Sequence, residues 1–126
     1  MAKILIVDDE PHIRILLEQT LEDLEDEGVE LLSATNGAEA LAIIKAQTPE
    51  LVFMDVMMPK MNGFDVCSTV KKELGIQSVY IILLTAKGQE MDKQKGSEVG
   101  ADMYMTKPFS PSLVVEKARE VLKLHG

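Results

Sequence analysis

Five side chains in this sequence of 126 residues could do chemistry together: the carboxylates of Asp8, Asp9 and Asp55, the hydroxyl of Thr85 and the ammonium of Lys107. Each closes a short apolar run. The run over residues 4–7 ends in Asp8, Asp9 and Glu10, and that over 51–54 in Asp55. The run over 79–84 ends in Thr85 and Ala86, and a weaker one over 103–105 in Thr106, Lys107 and Pro108. Any one of these residues would be an ordinary strand cap. At the ends of successive strands they would meet at one edge of a sheet. Three carboxylates gathered there repel one another and raise each other's pKa unless a cation sits among them. A hard divalent ion answers that need. Mg²⁺ accepts a few carboxylate oxygens while keeping waters and a substrate phosphate oxygen, so the cluster suits phosphoryl chemistry better than a closed all-protein cage. Lys107 would pair with Asp55 at rest and with a phosphoryl oxygen later. Thr85 would donate its hydroxyl to the same group.

The elements that must position these residues follow from hydropathy. Five apolar runs, the four above and one over 31–34, read as strands, and stretches of helical periodicity separate them. Ile13, Leu16, Leu17, Leu21 and Leu24 recur at three- and four-residue spacing, so residues 11–25 are expected as one amphipathic helix with Pro11 in its first turn. Further helices are expected over 38–46, 63–74, 91–99 and 111–124, the last with a buried stripe of Leu113, Val114, Val121 and Leu122. Five alternations of near-continuous apolar strands with helices predict an α/β fold, a parallel sheet covered on both faces. In such sheets ligands bind outside the carboxyl ends of the strands. The chemistry-bearing residues stand at that edge. No repeat, low-complexity segment or linker divides residues 1–126, which read as a single domain.

Charge is uneven along the chain: residues 1–56 carry 13 acids and 3 bases, residues 57–126 carry 8 acids and 10 bases. Acids from Glu18 to Glu30 read as a solvated surface. A net charge of −8 without tryptophan lacks the footprint of a nucleic-acid binder, so no direct nucleic-acid contact is expected of this chain. The longest apolar run, residues 79–84, is far short of the roughly 20 residues of a membrane helix, and no signal-like segment opens the chain; a soluble, cytoplasmic protein is expected. Cys67 is the single cysteine, and His12 and His125 lie at opposite ends, which argues against zinc, haem and iron–sulfur sites. Cys67 is expected to pack as a small buried side chain.

The chain resembles the receiver domain of two-component response regulators. The matching residues are Asp8-Asp9, the segment Asp55-Val56-Met57-Met58-Pro59-Lys60-Met61-Asn62-Gly63, Thr85-Ala86, Tyr104 and Lys107-Pro108-Phe109. The resemblance implies a doubly wound, flavodoxin-like five-stranded sheet of order 2-1-3-4-5. It implies that Asp55 is the phosphoacceptor, charged by a sensor histidine kinase or a histidine phosphotransfer protein. Asp9 and Asp55 would hold Mg²⁺, or Mn²⁺ in its place, with the backbone carbonyl of Met57, and Asp8 partly through water. Lys107 would hold the phosphoryl group, and Thr85 and Tyr104 would form the switch pair. Pro59 and Gly63 would shape the loop leaving Asp55, and the bond before Pro108 would be cis. A downstream partner would read the face made by the fourth helix, fifth strand and fifth helix. Such a module catalyses only its own phosphorylation and dephosphorylation and is not an enzyme on other substrates.

Some residues depart from the family pattern. Met57 and Lys87 flank the route of water to an acyl phosphate, and an apolar Met57 should order that water poorly and lengthen the phosphorylated lifetime. In receivers that dimerise before binding DNA an acidic residue usually precedes the switch tyrosine and an arginine stands on the last helix; here these places read Met103 and Lys117. That salt bridge cannot form, which leaves a monomer or a different phosphorylation-dependent dimer. An aspartate-nucleophile, metal-dependent phosphohydrolase is the alternative, but it would want a second aspartate where Met57 stands. A flavin-nucleotide binder is disfavoured because Asp8-Asp9-Glu10 would repel the cofactor's phosphate.

Overall fold

A computed structural model describes residues 2–86 and 98–123. The strands are β1 (Lys3–Val7), β2 (Glu30–Ala34), β3 (Leu51–Asp55), β4 (Tyr80–Ala86) and β5 (Met103–Lys107). The helices are α1 (Pro11–Thr20), a single turn α2 (Glu22–Glu25), α3 (Gly37–Gln47), α4 (Gly63–Ser68) and α5 (Pro111–Leu122). The strands form one parallel sheet in the order β2-β1-β3-β4-β5, as the resemblance implied. Strand order reverses beside β1, and the crevice between the carboxyl ends of β1 and β3 is where a doubly wound sheet binds ligands.

Alternation along the strands explains the two layers of core, because successive side chains point to opposite faces. Leu5, Val7, Val52, Met54, Ile81 and Leu83 pack with Ala40 and Ile44 of α3 and with Phe64, Val66 and Cys67 of α4. Ile4, Ile6, Leu51, Phe53, Ile82 and Leu84 pack with Leu17 of α1, Leu24 of α2 and Val114 and Ala118 of α5. Cys67 is buried as expected, its Sγ 3.6 Å from the carbonyl oxygen of Val99. Among the described residues no helix is long and apolar enough to cross a membrane.

Helix starts are set by local chemistry. Asn36 and Asn62 each accept a backbone N–H three residues on, from Glu39 and Asp65, both at 2.9 Å, which satisfies one orphan donor of α3 and of α4. Pro11 and Pro111 occupy first turns, where a missing N–H costs nothing.

Three helices differ from the expectation. The stretch over 11–25 is not continuous: Thr20 Oγ1 donates to the Leu16 carbonyl at 2.7 Å, a back-bond that disfavours the helix interior, and Leu21 leaves helical geometry while its side chain stays wholly buried. After α4 the chain widens into a π-helical segment, Thr69–Glu73, in which Leu74 N–H reaches the Thr69 carbonyl five residues back at 2.8 Å. The last helix stops at Leu122, with Lys123 in the left-handed region at φ 59°. The helix expected over 91–99 falls largely outside the described residues, as does Lys87.

Candidate functional site

Register brings the strand ends level. Val7 pairs with Met54, Asp55 with Leu84, and Ala86 with Lys107, so Asp8, Asp55, Thr85 and Lys107 emerge at one edge. Asp8 is wholly buried and Asp55 nearly so, whereas Asp9 and Glu10 are exposed. Lys107 Nζ lies 2.8 Å from Asp8 Oδ2 and 3.3 Å from Asp55 Oδ1. Asp8 Oδ1 accepts the N–H of Glu10 at 3.0 Å, and Asp55 Oδ1 accepts the N–H of Met57 at 3.4 Å. A cavity of about 280 Å³ opens over these groups, lined by Asp9, Glu10, Asp55, Met57 and Lys107.

The electrostatics follow from that crowding. Burial, then the charge of Asp8, push Asp55 up to about 6 against the opposing pull of Lys107 and the Met57 N–H. Burial works against the Lys107 ammonium, but its hydrogen bond to Asp8 and the charges of Asp55 and Asp8 outweigh it and hold Lys107 above the ordinary lysine value. Asp8, Asp9, Glu10 and Asp55 each offer a carboxylate oxygen, and these oxygens all lie within 4.8 Å of one another. An all-oxygen, strongly anionic donor set fits a hard divalent cation such as Mg²⁺ and lacks the thiolate or imidazole ligands that select zinc.

Glycine makes the loop after Asp55 possible. A Cβ on Gly63 would lie 2.5 Å from the Asp55 carbonyl oxygen, and the Gly63 N–H bonds the Val56 carbonyl at 2.9 Å, so the start of α4 is drawn against the end of β3. The family model for the response regulator receiver domain matches residues 4–119. The chain belongs to the response regulator receiver family.

The relatives agree with that placement. The receiver is 47% identical over 121 residues to the "Probable transcriptional regulator ycf27" of Porphyra purpurea, covering 96% of this chain and 47% of that protein. It is 43% identical over 123 residues to the phosphate regulon transcriptional regulatory protein PhoB of Pseudomonas aeruginosa, covering 98% of this chain and 52% of PhoB. The chain thus spans about half the length of these curated relatives. Among solved structures, chemotaxis protein CheY4 of Vibrio cholerae superposes with a TM-score of 0.82 at 35% identity, over 96% of this chain and 98% of that one.

Within the receiver, Asp8, Asp9, Asp55 and Lys107 converge at the strand ends, as expected, and the peptide bond between Lys107 and Pro108 is cis. Lys107 stands closer to Asp8 than to Asp55, the partner expected of it at rest. Thr85 is buried and its hydroxyl donates to the Met105 carbonyl at 3.5 Å, on β5, rather than lining the cavity over Asp55. Tyr104 is exposed to 37% and lines a second cavity of about 350 Å³ with Met103, Phe109 and Leu113. Pro59 lies in the loop between β3 and α4, where its carbonyl accepts the Met61 N–H at 2.8 Å. Glu10 belongs to the carboxylate cluster although the sequence reading gave it no role. Its place directly after Asp8-Asp9 was the available signal.

Proposed function

We propose that this receiver is a phosphoacceptor signalling module: Asp55 takes a phosphoryl group from the phosphohistidine of a sensor histidine kinase or a histidine phosphotransfer protein. The observation that carries the reading is the meeting of the buried Asp55 carboxylate with Lys107 Nζ at 3.3 Å and with the Asp8–Asp9 pair at the carboxyl edge of the sheet. Asp8, Asp9, Asp55 and the Met57 carbonyl would hold Mg²⁺, or Mn²⁺ in its place. When bound, that ion supplies charge neutralisation at the phosphoryl oxygens, which is most of what a loose phosphoryl-transfer transition state requires.

The chain's own groups do the rest. An Asp55 oxygen attacks phosphorus, the P–N bond to the donor imidazole breaks, and its electron pair stays on the imidazole nitrogen. In the metal-free chain burial and the Asp8 charge raise Asp55 to about 6; a cation bound beside Lys107 would hold the carboxylate in its ionised form, the one that attacks. Lys107 exchanges Asp8 for a phosphoryl oxygen. The aspartyl phosphate brings about two negative charges where one stood. The Thr85 hydroxyl turns from the Met105 carbonyl toward the new oxygens, Tyr104 moves into the space released, and the face that includes β5 and α5 changes shape for a downstream partner. Residues 1–126 act as one domain working on its own Asp55, inside the cell, as a monomer or a phosphorylation-dependent dimer that does not use a salt bridge between Met103 and Lys117 positions.

Incubation with acetyl phosphate and Mg²⁺ followed by intact-mass measurement tests this. One phosphoryl group is expected on the wild type and none on Asp55→Asn. A mass gain that survives in the variant, or its absence in the wild type, removes the reading.

A further inference from the structure

We infer that Arg14, which is no member of the carboxylate cluster, is a positioning residue for it, a role that rests on the metal reading proposed above. Asp8 is the first residue past the paired part of β1: the ladder to β3 ends at Val7 and Met54, and only the Asp8 N–H still reaches β2, donating to the Ala34 carbonyl at 3.3 Å. The Asp8 carbonyl, having lost its strand, accepts Nη1 of Arg14 at 2.6 Å from the second turn of α1. A charge-assisted bond of this length is among the strong ones. The far side of the loop is fixed as well, because the Glu10 carbonyl accepts both the Ile13 and Arg14 amides, at 3.1 and 3.2 Å.

The loop Asp8-Asp9-Glu10 is therefore held by its backbone at both ends. Asp8 has its two carboxylate oxygens engaged by Glu10 N–H and Lys107. Asp9, between the two anchored carbonyls, is exposed and turns its carboxylate toward the cluster that includes Asp55. Without Arg14 the Asp8 carbonyl loses that donor, and the peptide leading into Asp9 is held only through its neighbours. Contacts that orient the residues holding a metal act on affinity by about tenfold or more when removed.

The sign of the effect separates positioning from charge. Arg14 is itself a cation beside the cluster, well within the roughly 8 Å over which charges are felt at physiological salt. On charge alone its removal would strengthen divalent-cation binding. As a positioning residue its removal weakens it. Mn²⁺ titration of the metal-free chain, followed by electron paramagnetic resonance of the free ion, reads that sign. Arg14→Met is expected to bind Mn²⁺ about tenfold more weakly than wild type. Affinity equal to or tighter than wild type overturns the inference. A merely structural role would lower the melting temperature of the metal-free variant and leave the affinity of its folded fraction unchanged, which also overturns it. If Arg14→Met does not fold, Arg14→Lys replaces it: the charge is kept but the donor ends one bond short of the carbonyl. Weaker Mn²⁺ binding is again expected, and wild-type affinity overturns the inference. A wild type that binds no Mn²⁺ fails at an earlier point, since it removes the metal reading and this inference with it.

Discussion

At the carboxyl edge of the sheet Lys107 is shared between Asp8 at 2.8 Å and Asp55 at 3.3 Å; at the amino edge Lys71 lies 2.8 Å from Asp102 and donates to the Val79 carbonyl at 2.6 Å. Both pairs are lysine with aspartate, and both are largely buried. They differ in balance. Around Lys71 each charge has its partner, and Asp102 Oδ2 also accepts the Ile81 N–H at 2.8 Å. Around Lys107 four carboxylates gather beneath an open cavity, against its ammonium and the Arg14 guanidinium on the Asp8 carbonyl. A matched buried pair orders the fold and asks for nothing more. An unmatched one leaves charge to be answered by a ligand, and raises a carboxylate's pKa for as long as no cation is bound there. Even the thiol beside the matched pair is held in its protonated form: burial pushes Cys67 up to about 11.

The largest expected effect breaks the amino-edge pair. Lys71→Met leaves the Asp102 carboxylate without its cation and the Val79 carbonyl without its donor. A broken buried pair costs about 3–5 kcal/mol, and because Asp102 is 30% exposed we expect the low end, about 3 kcal/mol in urea unfolding. Asp55 should still take phosphate from acetyl phosphate at the wild-type rate under conditions where the variant is folded. A loss under about 1 kcal/mol, or a slowed phosphorylation, would show that the two edges are not separable in this way.

The next effect concerns the unmatched edge and its pH dependence. Folding lifts Asp55 from the ordinary 3.8 to about 6, so the folded metal-free chain binds the proton more tightly than the unfolded chain does. Its contribution to stability is therefore fully present below pH 4 and lost as pH rises through 6, by at most about 3 kcal/mol. Urea midpoints in chelator should fall between pH 4 and pH 7 for the wild type relative to Asp55→Asn, which lacks the titrating group. Parallel midpoints for the two proteins would mean that Asp55 is not the strained carboxylate. Adding Mg²⁺ at pH 7 should restore what was lost.

The contrast also explains what could be read in the sequence. Strand ends are local: an apolar run that stops at an aspartate or a lysine states both the element and its edge, so the parallel sheet and the meeting of Asp8, Asp9, Asp55 and Lys107 were legible. Lys71 was not. In a helical stretch a lysine reads as a solvated residue, and its burial depends on Asp102, on the Val79 carbonyl and on a π-helical turn that no periodicity announces. Gly100, at φ +88° with a would-be Cβ 3.2 Å from Lys71 Cβ, makes room for it from the far side of β4 in sequence. Arg14 was hidden for the same reason, since a side chain bonding a backbone carbonyl leaves no pattern in residue types. The break at Leu21 likewise depends on a hydroxyl back-bond that competes with an otherwise regular apolar spacing.

The smallest effect sharpens the comparison at the rim of the site. Met57 is 68% exposed and borders the cavity over Asp55, whereas Lys71 at the amino edge is 5% exposed. Water at that rim would meet the Met57 side chain beside Asp55, and a thioether offers it at most a weak acceptor. Met57→Asn would supply a donor and an acceptor at that rim without touching the carboxylates or Lys107. We expect phosphate to be lost from Asp55 about threefold faster, a barrier change of under about 1 kcal/mol. Following the decay of the phosphorylated mass after removal of acetyl phosphate measures this directly. An unchanged or slower decay would mean that the rim does not order the attacking water, and that the lifetime is set instead by the buried groups beneath it.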